Sequence, residues 1–448
     1  MSYQSYQPRT SAPARKTASW AGFWQTLRQI GDGQKNIGLP GSRRLLAVTD
    51  STGIIRKHRP DYLVMLFMGL LMLVGLVVMF ATSPQIINAA NNARNTSSDQ
   101  YFYFTKQVVS VFVGLVGFVA MLKIPLEFWQ KHLKWLLLGA FGLSAVLFLL
   151  SQVKPEMVCS LGACRWLRFG FFSIQVSEIV KFNLLIFFAF FWAYMAKQKM
   201  LDDRRNIIYS VGLILSSLAV IVVLQKDLGT GISMALFLLF MMLIAGFKLR
   251  LVIGFVVVLL VGGVLGVLSQ PYRLARVRTF LEGSDATMTN ANRHIIEANI
   301  ALGSGGFFGL GVGNSIQSTG YLPEVINDSV FAIIGEVFGF IGAMVVIFLF
   351  VGLLWRLLRG VIYSHNLAYR LVFAGVCGWI FAHLFINIAS MTGITPMTGI
   401  TLPFVSYGGS SLLLASMVLG LAFNLSAYTA HTPYFETVGE RKYVRKKS

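Results

Sequence analysis

Charge is scarce in this sequence, and acid is scarcest. Asp, Glu, Lys and Arg make up 12% of the 448 residues, and only 18 residues are Asp or Glu. A soluble chain carries about twice that charged fraction. With 55% hydrophobic residues, the deficit excludes an ordinary soluble domain and indicates an all-α polytopic membrane protein. Cysteine is nearly absent, three in all, which excludes a disulfide-stapled framework. Cys377 lies in an apolar run and reads as packing. Cys159 and Cys164 share one loop, where a disulfide is permissible on an oxidising side; their short spacing and the lack of a His partner argue against zinc. No short apolar core with a cleavage site opens the chain, so a signal peptide is not expected.

What is present is a series of apolar runs. Ten read as membrane spans, near 61–81, 107–122, 128–150, 174–196, 206–224, 228–246, 251–270, 329–353, 369–390 and 407–428. The net charge of +20 does not point to nucleic acid, because most Lys and Arg fall on one side of these spans. The positive-inside rule then puts both termini in the cytoplasm. Residues 1–60 read as a disordered, basic cytoplasmic leader and 429–448 as a basic tail, with anionic membrane lipids as their partners. Trp20 and Trp24 suit a membrane surface.

Seven and eight are the spans separated by the longest loop, about 271–328, and long ordered loops are usually functional. It opens with Arg273, Arg276 and Arg278, of which the first two share a helical face. Arginine forks suit phosphate, while an amphipathic helix resting on headgroups uses the same residues. A short helix over 292–301 follows. Next come six glycines within Gly303–Gly313, which imply tight turns and close backbone approach. They form no P-loop, since the Gly-Lys-Ser/Thr ending is missing. The loop ends at Pro323 and two acids at the mouth of the eighth span, Glu324 and Asp328, with Glu336 inside the span.

Ionisable groups at membrane depth are costly and usually functional. Glu178 and Lys181, three apart at the start of the fourth span, form either a stabilising ion pair or the wall of a substrate cavity. Asp227 reads as a cap for the sixth helix, with Lys226 beside it near lipid or substrate phosphate. Asp328 has two readings, helix cap and general base, and taken alone the cap is the simpler one. Before the last span, 393–411 interleaves Pro, Gly and hydroxyl residues with apolar ones. Non-helical backbone at membrane depth must be buried in protein or line a cavity, so a re-entrant segment is expected there.

Arg165-Trp166, Gln175 through Glu178 with Lys181, Gln225 through Thr230, the Gly-rich loop, Pro323 through Glu336, and Leu402-Pro-Phe-Val-Ser-Tyr-Gly-Gly-Ser-Ser411 together resemble the SEDS family of FtsW/RodA-type peptidoglycan glycosyltransferases. The resemblance covers roughly residues 61–428, a ten-helix membrane domain with a large external loop between helices 7 and 8. Gly399 through Pro403 is similar to division-type or sporulation-type members. The chain also departs from the family pattern. Ile326-Asn-Asp-Ser329 stands where His-Thr-Asp-Phe is usual, Glu336-Val-Phe-Gly339 where Glu-Glu-Leu-Gly is usual, and Val176 and Lys226 where Pro is usual. No imidazole can act from position 326 here.

The resemblance implies an inverting polymerase of lipid II, the undecaprenyl-pyrophosphate-linked precursor, extending a glycan strand during septal wall synthesis at the bacterial cytoplasmic membrane. Asp328 is the implied catalytic residue. Arg273, Arg276, Glu178, Lys181, Lys226, Asp227, Glu324, Ser406 and Ser410 are candidate substrate-binding residues. No cofactor is firmly implied, and no metal-ligand motif is present; a divalent cation, Mg or Mn, is left as a companion of the pyrophosphate. A class B penicillin-binding transpeptidase and other division proteins are the implied partners. Two other readings of the same residues are a lipid II flippase, using Glu178, Lys181 and Glu336 as a polar path, and a non-catalytic scaffold of the division machinery.

Overall fold

The computed structural model describes residues 49–50, 53–54, 58–94, 97, 99–160, 163–169, 172–268, 274, 277 and 290–429. Eleven long helices order it: α1 Tyr62–Arg94, α2 Phe102–Lys123, α3 Leu133–Val153, α4 Val176–Lys197, α5 Arg204–Ala219, α6 Leu228–Ala245, α7 Leu249–Leu268, α8 Asn290–Ser304, α9 Val330–Tyr363, α10 Leu367–Met391 and α11 Gly409–Ser426. Among the described residues ten spans are long and apolar enough to cross a membrane: all of these helices but α8, with α5 lengthened by the π-helical turn Val220–Leu224. Among the described residues strands occur only as two-stranded antiparallel pairs, one of them Trp166–Phe169 with Phe172–Gln175. Cys159 and Cys164 face each other across another pair and are joined by a disulfide.

The spans expected from apolar runs are all present, with different ends. α1 does not stop near residue 81; it runs to Arg94, through Pro84. A proline removes one hydrogen-bond donor and crowds the preceding turn, and the Ala- and Asn-rich residues beyond it still continue the helix. At 33 residues, α1 is about 50 Å long, so its end extends past a hydrocarbon layer of about 30 Å. α2 starts at Phe102, earlier than expected, and the aromatic cluster there packs back on α1, with Phe80 stacked on Tyr101 at 5.5 Å.

α9 also outruns its expected end and is broken once, at Gly339, whose φ is 69° and ψ −166°. Two turns of helix therefore precede the break and a long membrane helix follows it. The broken turn does not lose its hydrogen bonds. The carbonyls of Glu336 and Val337 accept from the N–H groups of Leu310 and Gly311, and the N–H of Phe340 donates to Gly306. The Gly-rich loop thus substitutes for the missing helical partners, which membrane-depth backbone requires. A Cβ on Gly309, itself at φ +84°, would lie 2.2 Å from the Val337 carbonyl oxygen. The close approach expected of this loop is therefore its function in the fold.

α4, α10 and α11 form the centre, while α3 and α7 lie at the rim. α2 packs on α11 through Gly114 and Gly117, which sit against Leu412 and Leu413, a small-residue contact typical of helices in lipid.

Candidate active site

Asp328 is buried, 9% exposed, at the corner where the loop Pro323–Ser329 enters α9. It is not the helix cap: Ser329 occupies the N-cap position. The corner is made by Glu324, which adopts a left-handed conformation at φ 48°, rare for a non-glycine residue. The Glu324 carbonyl accepts from the N–H groups of Asn327 and Ser329, and its carboxylate from the Asn327 amide. Glu324 is exposed, so it shapes the turn that presents Asp328. Ile326 points into the apolar core, and its carbonyl accepts from the Tyr407 N–H at 2.8 Å.

The chain opposite Asp328 is Thr398–Thr401, part of the segment expected to be re-entrant. Gly399, at φ +72°, faces the carboxylate so closely that a Cβ there would stand 3.7 Å from Asp328 Oδ2. The same strap passes over the start of α6, where a Cβ on Gly229 would come within 2.8 Å of the Thr398 carbonyl oxygen. Ser406 accepts the Leu402 N–H at 2.8 Å, and Ser410 accepts the Gln175 N–H at 3.3 Å. Both hydroxyls tie backbone segments together around the strap.

A second cluster lies behind it. Lys181, fully buried, donates to Glu178 at 2.7 Å and to His383 Nε2 at 2.9 Å, and its ammonium sits 4.4 Å from the centre of the Trp379 ring. The intrahelical pair inferred from spacing therefore exists, and it is closed off by α10. Asp227 caps α6 through the Thr230 N–H, as expected. It also meets Arg165 at 3.1 Å and receives the Thr230 and Ser177 hydroxyls and the Gln175 amide. Burial on its own would raise this carboxyl, but the Arg165 guanidinium and the Thr230 hydrogen bonds hold it below the ordinary carboxylate range. Lys226, next to it, is exposed and left-handed at φ 54°. Arg273, Arg276 and Arg278 lie outside the described residues.

Three site residues were missed by the sequence reading. His383 and Asn387 on α10 reach the strap, His383 Nδ1 at 3.1 Å from the Thr401 carbonyl and Asn387 donating to Ile400. A lone polar residue in an apolar run carries little pattern; the usable signal was their spacing of one helical turn. His294 is buried on α8 with Nε2 2.6 Å from the Ser329 hydroxyl. That hydroxyl has one hydrogen and donates it to the Pro323 carbonyl, so the imidazole is the donor. An imidazole thus reaches the residue after Asp328 from a different element, although position 326 has none. Glu336 belongs to neither cluster. Its buried carboxylate accepts from the Ser315 hydroxyl and the N–H groups of Ile316 and Gln317, anchoring the Gly-rich loop.

A family model described as "Cell cycle protein", spanning FtsW, RodA and SpoVE, matches residues 61–431. The chain belongs to this family. Stage V sporulation protein E of Bacillus subtilis is 34% identical over 377 residues, covering 84% of this chain and 99% of that protein. The probable peptidoglycan glycosyltransferase FtsW of Saccharophagus degradans is 32% identical, covering 82% and 93%. Among solved structures, a chain of a peptidoglycan synthase complex that coordinates polymerization and crosslinking aligns with a TM-score of 0.63 at 21% identity, over 82% of this chain and 97% of that one. The rod shape determining protein RodA of Thermus thermophilus aligns with a TM-score of 0.57 at 22% identity, over 82% and 96%. These likenesses bear out the ten-helix fold and its multi-pass membrane character.

Proposed function

We propose that this chain is a peptidoglycan glycosyltransferase that polymerises lipid II, with Asp328 as general base. One observation carries the assignment: the Asp328 carboxylate lies at a loop–helix corner against Gly399, in a family whose FtsW members bear the name of that activity. An ionised, largely desolvated carboxylate takes the proton from an acceptor sugar hydroxyl. The hydroxyl oxygen attacks the anomeric carbon of the donor with inversion. The bond from that carbon to the pyrophosphate oxygen breaks, and undecaprenyl pyrophosphate leaves with the electron pair.

Arg273 and Arg276, three apart in the sequence, match the growing charge on pyrophosphate in this reading, and Lys226, exposed beside Asp227, adds a further cation. Among the described residues no three His, Cys, Asp or Glu side chains converge as a metal-holding group, so a Mg or Mn ion would enter on the pyrophosphate. The chain acts, in this reading, in septal wall synthesis from the cytoplasmic membrane, both termini inside and the 271–328 loop outside, beside a class B penicillin-binding transpeptidase.

The test is glycan-strand formation from lipid II by the purified full-length chain, alone and with the transpeptidase. Strand formation by the wild type and none by Asp328→Ala supports the assignment. Wild-type activity in Asp328→Ala removes Asp328 from the role.

A further inference from the structure

Asn387 and His383 stand one turn apart on the same face of α10, in the most enclosed of the membrane helices. Polar side chains in such a place are costly and usually functional. The Asn387 amide has two hydrogens, and they go to two different pieces of chain: the carbonyl of Asp328 itself and the carbonyl of Ile400, each at 2.8 Å. A single side chain therefore sets the spacing between the backbone that carries the carboxylate and the strap whose Gly399 faces it.

His383 holds the next residue of that strap. Lys181 has only hydrogens to give, so the imidazole accepts from it at Nε2 and donates from Nδ1 to the Thr401 carbonyl. Lys181 in turn is fixed by Glu178 and by the face of Trp379. The contacts form one buried line: Glu178, Lys181, His383, the Ile400–Thr401 backbone, Asn387, Asp328.

We propose that His383 and Asn387 are positioning residues for Asp328, a brace that references the carboxylate to the Glu178–Lys181 pair of α4. The proposal rests on Asp328 being the base. It assigns the ion pair a purpose that neither a cavity wall nor a helix stabiliser supplies: a fixed point at membrane depth for a residue on a loop. Misplacing a catalytic group by about 1 Å lowers turnover about 100-fold, and a brace that touches no substrate changes kcat and leaves KM alone.

The experiment measures initial rates against lipid II concentration for the purified full-length chain and for Asn387→Ala, His383→Leu, His383→Gln and Asp328→Ala, with thermal unfolding of each. Gln carries an oxygen that can accept from Lys181 and an N–H that can donate to Thr401, the two roles the imidazole fills. The expected result is a kcat loss of about 100-fold in Asn387→Ala and about 10-fold in His383→Leu, with KM unchanged and His383→Gln close to wild type. Wild-type kcat in a folded Asn387→Ala, a loss confined to KM, or a His383→Gln no better than His383→Leu overturns the brace. If Asn387→Ala does not fold, the His383 pair decides. An inactive Asp328→Ala beside an overturned brace leaves the base intact, whereas a fully active one removes the base and the brace together.

Discussion

The central helices and the rim helices of this bundle are all apolar enough to cross a membrane, yet they have opposite chemistry. In α4, α10 and α11 the membrane-crossing windows are 72%, 83% and 72% buried, against 11% in α7 and 22% in α3. Glu178, Lys181, His383 and Asn387 all lie on the central helices, whereas α7 between Leu251 and Leu268 is wholly apolar. Apolarity thus has two meanings in one chain. At the rim it is a solvent requirement imposed by lipid; at the centre it is the packing in which a few polar groups are held without water. The difference teaches where substitutions should matter, and by how much.

Removing one partner of the central ion pair should have the largest effect on stability. Lys181→Ala leaves the Glu178 carboxylate buried without its cation, and such a loss destabilises by about 3–5 kcal/mol. Thermal unfolding in detergent would read it, and the double change to Glu178→Gln with Lys181→Met should recover part of the loss. A smaller effect, about 1–3 kcal/mol, is expected for Gly309→Ala. It combines a positive φ with a clash against the Val337 carbonyl, and the loop should become more sensitive to proteolysis.

Arg165→Gln should act mainly through pH. The folded Asp227 carboxyl is held below its ordinary value. Its contribution to stability is therefore full above the unfolded pKa, about 4, and is lost as pH falls through the lower folded value. Without the guanidinium that folded value rises toward the unfolded one, so the unfolding temperature of Arg165→Gln should lie below that of the wild type at neutral pH and fall less on acidification, the two curves drawing together in acid. Last, Leu260→Val on α7, at an exposed rim position, should change stability by less than about 0.5 kcal/mol. A rim change as damaging as Lys181→Ala would break the distinction between the two regions.

Much of this was legible in the sequence because hydropathy and acid scarcity are local signals. All ten spans could be read, as could the Glu178–Lys181 pair, the Asp227 cap and the need for close approach in the Gly-rich loop. Helix ends were not, since Pro84 and Gly339 act through hydrogen bonds whose fate depends on distant chain. Asp328 does not take the capping role: the N-cap position falls one residue later, on Ser329, whose hydroxyl turns to the Pro323 carbonyl and not to the helix N–H groups. His383, Asn387 and His294 escaped notice for a related reason: each has meaning only through a partner on another element, the strap or the corner, that no spacing rule connects to it.

The most direct test of the account is the rate of glycan formation from lipid II by purified, folded Asp328→Asn. This variant keeps the shape of the side chain and loses its ability to take up a proton. The expected result is a fall of about 100-fold to 10,000-fold, the contribution of a positioned general base, with lipid II binding retained. Strand synthesis at the wild-type rate would contradict it.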